Sequence, residues 1–526
     1  MLSNFFKRVS AAPTNPNPKE TIREFDIADL YRGPVDLQDA ESKAAISLDE
    51  KLRQAYFWII NHAIISPFYD IEYNDGTPQV FPFGDRGNNV ILPSGQSYCS
   101  FVLMPLLAFA VRAKCLLVGG PGRGKTSSAV LMGLLAGYPI RDVRRAIQKG
   151  QPQMTIADLL GNPLPADLIK AQSIDQIGIA WRKWLGMRVK IIDEYNRIPT
   201  RTQSALLTLM SDNYAELYDQ TYECPDSAWY LTANDDAGGG TYQVIEALRD
   251  RIDIVVKALH FNCRFLGDLL ERIESGVRPE EMIPAEIIFT EEEFNDIHQQ
   301  IRVIPVPTNI LRRFEFFASQ LEYCESAAKQ FEYKTKDTIK LAGLDWHHVT
   351  GAETGKDKIK DIGAQTKNGI SVRAIMTTLS FVKALAFFRG GSQVELEDLR
   401  QILPFVLHDK LVQDADCPFF EAADNAAYRS DKVAWIRRIF DMSCAEYDRL
   451  QLDKDDPVKK LSDQFGQGLE GLAQEEVRKR LVEIERILKS WSESRKFYGF
   501  MYDDVLKLKY LHQRYTNYLR WLTWKQ

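Results

Sequence analysis

An α/β domain with a parallel sheet, followed by an all-α region, is what this sequence predicts, on three observations. The run Lys114-Cys-Leu-Leu-Val118 passes through a glycine-rich turn into an apolar, helix-forming stretch that Gly137 closes. Between about residues 96 and 260, short apolar runs of strand type alternate with helical ones, the pattern of a sheet covered by crossover helices. From 261 to 412 the periodicity is almost entirely helical.

In chain order, residues 1–95 read as an N-terminal extension: a tether containing Pro13-Thr-Asn-Pro-Asn-Pro18, a helical portion over 52–65, then loops rich in Gly, Pro and Asp. Residues 96–260 carry the α/β domain. Residues 261–412 form a helical domain that a Lys-, Gly- and Thr-rich insertion interrupts near 334–367. Residues 413–526 read as a helical C-terminal extension. Within it, Val477, Leu481, Ile484, Leu488 and Trp491, and then Leu508, Leu511, Tyr515, Tyr518 and Leu522, step by four and three, which predicts an αα-hairpin.

The chemistry begins at Gly119-Gly120-Pro121-Gly122-Arg123-Gly124-Lys125-Thr126, with Ser127 next, a G-x-x-x-x-G-K-[ST] loop in the required strand, turn, helix context. Backbone N–H groups in such a loop face a triphosphate, the helix N-terminus adds positive potential, Lys125 reaches the β- and γ-phosphates, and Thr126 offers a hydroxyl to magnesium. Downstream, the apolar run Arg188-Val-Lys-Ile-Ile ends in Asp193 and Glu194. Paired acids at a strand tip suit hydrolysis: Asp193 for magnesium, Glu194 to orient or deprotonate water. A third apolar run, Ala228-Trp-Tyr-Leu-Thr-Ala233, places the amide of Asn234 at its tip, within reach of γ-phosphate or the attacking water. ATP and Mg²⁺ are the expected ligands.

Composition narrows the partners. A net charge of −6 gives no global attraction to nucleic acid or anionic membrane. Seven scattered cysteines without a C-x-x-C pair indicate neither a disulfide framework nor a zinc site, which fits a reducing cytoplasm. The opening residues lack the apolar core of a secretory signal, and the longest apolar stretch, 101–111, is too short to span a bilayer. No membrane role is expected.

Several motifs now stand in register: the loop 119–126; Asp193-Glu-Tyr-Asn-Arg-Ile-Pro199 with Gln203-Ser-Ala-Leu-Leu-Thr-Leu-Met210; Thr232-Ala-Asn234; Gly240-Thr-Tyr; and Glu246-Ala-Leu-Arg-Asp-Arg251. Together they resemble the MoxR family of AAA+ ATPases over roughly residues 96–410. That resemblance implies a AAA+ phosphate-loop domain followed by a helical lid. It makes Asp193 and Glu194 the Walker B pair, Asn234 sensor 1, and Arg251 an arginine finger offered to a neighbouring subunit, with Arg249 and Arg197 as rivals for that trans-acting role. Gly369-Ile-Ser-Val-Arg373 is similar to the family's sensor 2 segment and places Arg373 on the lid. Tyr195, Asp235-Asp236 and Ile252 depart from the family pattern without removing a catalytic group. The segments 154–161 and 213–223 fall where the family has a second-helix insertion and a pre-sensor hairpin.

The resemblance implies a homo-oligomeric ring, expected to be hexameric, that hydrolyses ATP to remodel a client or adaptor protein, with von Willebrand factor A domains among the expected partners. Two other readings compete. A nucleic-acid motor or loader draws on Arg495, Lys496, Lys507, Lys509, Arg514 and Arg520 interleaved with aromatics, but Glu483, Glu485, Glu493, Asp503 and Asp504 dilute that stretch. A non-hydrolysing ATP-dependent assembly scaffold would have no need of Glu194.

Overall fold

The computed structural model describes residues 46–84, 88–165, 177–234, 246–258, 261–276, 278–322, 335–343, 362–454, 456–493 and 499–524. A five-stranded sheet organises it: β1 Lys114–Val118, β2 Gln148–Lys149, β3 Val189–Asp193, β4 Ala228–Ala233 and β5 Ile254–Lys257. The order is β5-β1-β4-β3-β2, and every pairing is parallel. Parallel strands covered on both faces need apolar side chains on both, which explains runs such as Cys115-Leu116-Leu117 without polar alternation.

Alternate side chains divide between two cores, as strand geometry requires. Cys115, Leu117, Val189, Ile191, Tyr230, Ile254 and Val256 enter one core; Leu116, Ile192, Trp229, Leu231 and Val255 enter the other. The second core is closed by Trp184, Leu185 and the helix Thr200–Asp212 through Leu206, Leu209 and Met210. The first is larger. It takes in the apolar helix Ser100–Val111, the phosphate-loop helix Lys125–Leu135, and the lid helices Glu291–Arg302, Thr308–Glu322, Val372–Phe388 and Leu396–Leu407.

That core also absorbs parts that the sequence assigns to the two extensions. The helical portion expected over 52–65 is a helix over Leu48–Trp58 with a π-helical turn, Ile59–Ala63, and it buries Leu52, Ala55, Tyr56 and Trp58 in the first core. Cys99 N–H donates to the Tyr56 hydroxyl at 2.7 Å, and Lys51 pairs with Glu293 at 2.8 Å. At the other end, the helix Lys432–Arg449 sends Trp435, Ile436, Ile439 and Phe440 into the same core. The boundary expected at 413 therefore lies inside continuous packing. A separate core begins only with the helix Pro457–Gly466, followed by Gln474–Glu493 and Gly499–Trp524. Arg480 meets Tyr515 and Glu485 meets His512, so the last two helices run antiparallel, with a third helix beside the expected hairpin.

Ion pairs join this C-terminal unit to the lid. Arg312 donates to both carboxylate oxygens of Asp504 at 2.9 and 2.7 Å and pairs with Asp456 at 3.0 Å; Arg313 beside it pairs instead with Asp448 on the helix Lys432–Arg449 and with Asp453 just beyond that helix, each at 2.7 Å. Removing one partner of a buried pair strands the other charge. Arg312→Ala is expected to cost about 2–3 kcal/mol, below the ceiling for fully buried pairs because Arg312 keeps some solvent contact. A thermal melt reads the loss, and limited proteolysis shows earlier cleavage beyond residue 456.

Among the described residues, four antiparallel pairs lie outside the sheet: Ile71–Glu72 with Ser97–Tyr98, Gln79–Phe83 with Asn88–Leu92, Gly161–Pro163 with Ile179–Trp181, and Tyr214–Leu217 with Gln220–Glu223. The last spans the residues expected for a pre-sensor hairpin, 213–223, whereas the segment expected as a second-helix insertion, 154–161, holds the short helix Ile156–Leu160 and meets its strand pair only at Gly161. Of the lid insertion, residues 334 and 344–361 lie outside the described residues. The helix Lys336–Leu341 is pinned by the fully buried Lys336, whose ammonium donates to the carbonyls of Gly363 and Thr366 at 2.8 and 2.9 Å.

Candidate active site

The tips of β1, β3 and β4 converge because β4 lies between the other two. Their C-terminal ends are where a parallel sheet presents loops and helix N-termini to a ligand. The loop after β1 turns at Gly122 and Gly124, with φ of 73° and 74°, a left-handed conformation that side-chain-bearing residues resist. Gly124 caps the helix Lys125–Leu135, so the loop's N–H groups and the helix start point to one place.

Lys125 is nearly buried. Its ammonium donates to the carbonyls of Gly119 and Gly120 at 2.5 and 2.8 Å and to Asn234 Oδ1 at 3.0 Å. Asn234 in turn donates through Nδ2 to Glu194 Oε1 at 2.9 Å. A hydrogen-bonded line therefore runs from the phosphate-loop lysine through the sensor amide to the acid. The other oxygen of Glu194 lies 3.3 Å from Arg197, a partly exposed pair.

Asp193 faces the helix start. Thr126 donates its hydroxyl to Asp193 Oδ1 at 2.8 Å. A hydroxyl and a carboxylate oxygen in contact form the hard, all-oxygen donor set that magnesium accepts when phosphates supply the remaining ligands. Thr126 and Asp193 thus fit the metal. No group of three or more His, Cys, Asp and Glu side chains that could hold a metal ion occurs among the described residues.

Beneath the site, Lys190 on β3 is buried, and desolvation pushes its pKa down to about 8; its ammonium donates to Met187 O at 2.9 Å, tying β3 to the turn before it. Tyr195, the departure from the family pattern, is buried in the second core, which pushes its hydroxyl well above the usual tyrosine range. It serves packing.

The candidate arginines stand elsewhere. Arg251 closes the short helix Glu246–Arg251 and donates through Nε to Ser211 Oγ on the helix that follows the acid pair. Arg373 pairs with Asp250, the residue before Arg251, at 2.6 Å. Thr377, one turn along the lid helix, donates to Asp253 at 2.9 Å. Arg251 is thus flanked by two carboxylates that hold the protein's own lid. Arg249 is exposed. Residues 235–245, which include Asp235, Asp236 and Gly240-Thr-Tyr, lie outside the described residues.

Sequence reasoning left two neighbours of the acid pair without a role. Thr232 donates to Asp193 Oδ1 at 2.6 Å and accepts the Glu194 N–H at 2.9 Å. Gly150 donates its N–H to Asp193 O at 2.7 Å. A hydroxyl inside the otherwise apolar β4 was the available signal for Thr232; Gly150 had none.

With the geometry in place, comparison with known proteins is informative. Residues 114–254 match the ATPase family associated with various cellular activities (AAA), and residues 360–427 match the AAA lid domain. A curated relative, Chaperone MoxR1 of Mycobacterium tuberculosis (strain ATCC 25618 / H37Rv), is 26% identical over 230 residues, covering 43% of this chain and 51% of the relative. Residues 114–254 and 360–427 are thus similar to an AAA ATPase domain and to its lid. The chain spans about half the length of the curated relative it matches. A crystal structure of a protein from Cytophaga hutchinsonii assigned as an ATPase covers 64% of this chain and 89% of its own, at 18% identity and a TM-score of 0.41. Among the described residues, no helix is long and apolar enough to cross a membrane.

Proposed function

We propose that the protein hydrolyses ATP to ADP and phosphate, in a pocket completed by a second copy of itself within a ring, and couples that reaction to remodelling a client protein. The observation that carries this reading is the line Lys125, Asn234, Glu194. It joins the group suited to γ-phosphate to the group suited to activating water. A protein that used ATP only as an assembly latch would need the first and not the last.

In this reading the loop 119–126 and Ser127 bind the triphosphate through backbone N–H groups, and Lys125 exchanges its carbonyl partners for phosphate oxygens. Thr126 and Asp193 would hold magnesium, which when bound would supply charge neutralisation to the phosphates. Glu194 takes a proton from water as its oxygen bonds to the γ-phosphorus and the bond to the bridging oxygen breaks; Asn234 fixes where that carboxylate stands. Arg251 supplies positive charge to the neighbouring copy's triphosphate, and Arg373, as sensor 2 on the lid, couples nucleotide state to the lid.

The resemblance extends the reading to six subunits, a cytoplasmic setting, and a client or adaptor that carries a von Willebrand factor A domain. Of the residues behind the nucleic-acid alternative, Arg495 and Lys496 lie outside the described residues, and Arg514 donates to Tyr510 at 2.9 Å and sits 5.3 Å from the Phe465 ring centre, engaged within its own unit.

The direct test is Lys125→Ala. Nucleotide affinity is expected to fall by about 100-fold or more, since a charge-assisted phosphate contact in a closed loop is lost. Titration with a fluorescent ATP analogue measures it; unchanged tight binding would overturn the assignment of the loop.

A further inference from the structure

We propose that Thr232 is a positioning residue for water activation, an inference that rests on the hydrolytic reading above. Its hydroxyl, backed by Gly150 on the opposite side, fixes the peptide unit that aims Glu194.

Glu194 has φ 55° and ψ 48°, the left-handed region that residues other than glycine seldom occupy. Such a conformation persists only where its surroundings hold it. The peptide between Asp193 and Glu194 is held at both ends. Its N–H donates to Thr232 Oγ1 at 2.9 Å, from β4 on one side. Its carbonyl accepts from Gly150 N–H at 2.7 Å, just beyond β2 on the other. Gly150 is required for that approach, because a Cβ there would lie 2.1 Å from Glu194 O.

Thr232 is fully buried, and its hydroxyl is used twice, donating to Asp193 Oδ1 at 2.6 Å while accepting from the Glu194 N–H. One group therefore sets both acids, the side chain of the first and the backbone of the second. Serine can do both; valine, of the same shape, can do neither. Without the hydroxyl the peptide loses one anchor, and the Glu194 carboxylate leaves the line that ends at Asn234.

The test uses the full chain: wild type, Thr232→Val, Thr232→Ser, Gly150→Ala and Glu194→Gln, with Thr232→Val and Gly150→Ala also combined with Glu194→Gln. ATP turnover and affinity for a non-hydrolysable Mg-ATP analogue are read for each. Thr232→Val is expected to lower kcat by about 30-fold with analogue affinity held within about threefold, and Thr232→Ser to return kcat to within about threefold of wild type. In the Glu194→Gln background, Thr232→Val is expected to change residual turnover by less than about twofold, because its effect on water activation runs through Glu194, while an effect through Asp193 on the metal would be read in the Mg-ATP analogue affinity.

A kcat for Thr232→Val near that of wild type, or an equal loss in the Glu194→Gln background, overturns the proposal. Should Thr232→Val not fold, Gly150→Ala is read by the same criteria. If wild type and Glu194→Gln turn over ATP at the same negligible rate, the hydrolytic reading itself falls and takes this inference with it. If wild type turns over ATP, Glu194→Gln does not, and Thr232→Val matches wild type, this inference alone falls.

Discussion

Glu194→Gln is expected to bind Mg-ATP as tightly as the wild type and to lose about 10²- to 10⁴-fold in turnover, the usual range when a general base is removed. Glutamine keeps the size of the side chain and an oxygen able to accept from Asn234 Nδ2, so the line to Lys125 survives in shape. What disappears is the capacity to take a proton. Affinity and kcat should therefore separate cleanly, which single-turnover phosphate release and analogue titration would reveal. A parallel loss of binding would mean that Glu194 holds the nucleotide site together rather than acting on water. The same variant, stalled with ATP bound, is the natural bait for recovering a client.

Arg251→Ala is expected to reduce turnover by about 10³-fold or more, if the cation serves the γ-phosphate of a neighbouring copy as arginine fingers do in other nucleotide hydrolases. Its contact to Ser211 is a surface hydrogen bond, and the loss of that bond should cost little stability. The decisive experiment mixes Glu194→Gln with Arg251→Ala. Each is inactive alone by this account, but in a mixed ring some interfaces pair an intact acid with an intact arginine. Recovery of a fraction of wild-type turnover on mixing is the expected result. Absence of recovery in oligomers shown to contain both variants would remove Arg251 from the neighbour's pocket, leaving Arg373, Arg249 and Arg197 to be tried in the same assay.

The parts of the site that were legible in the sequence are those whose chemistry is local. A phosphate loop is eight consecutive residues between one strand and one helix, and the acid pair ends the strand that carries it. Asn234 is readable for the same reason. The contacts among them were not, since they depend on β4 lying between β1 and β3, a neighbourhood that the order of motifs along the chain does not state. Thr232 and Gly150 matter only because they flank β3. Asp250 was visible as a member of a motif, but its bond to Arg373 spans 123 positions.

The fold class, too, followed from local periodicity, while the extent of the core did not. Helical spacing reveals that Trp435, Ile436 and Ile439 share a face, without revealing what that face meets. The helix Leu48–Trp58 posed the same problem. Both pack into the core beneath the sheet, so units that look like appendages in one dimension are structural members in three.

The hairpin Gln79–Phe83 with Asn88–Leu92 is rooted in that shared core by way of the lid. Below it, Tyr73 donates its hydroxyl to Asp398 at 2.8 Å beneath the Arg389 guanidinium, and Gln401 donates to Glu72 O at 3.0 Å. Asp398 and Gln401 belong to the lid helix Leu396–Leu407. The segment that leads into the hairpin is thus bonded to that helix, and the hairpin beyond it holds Val80, Phe81, Phe83 and Ile91 out to solvent as an oily paddle.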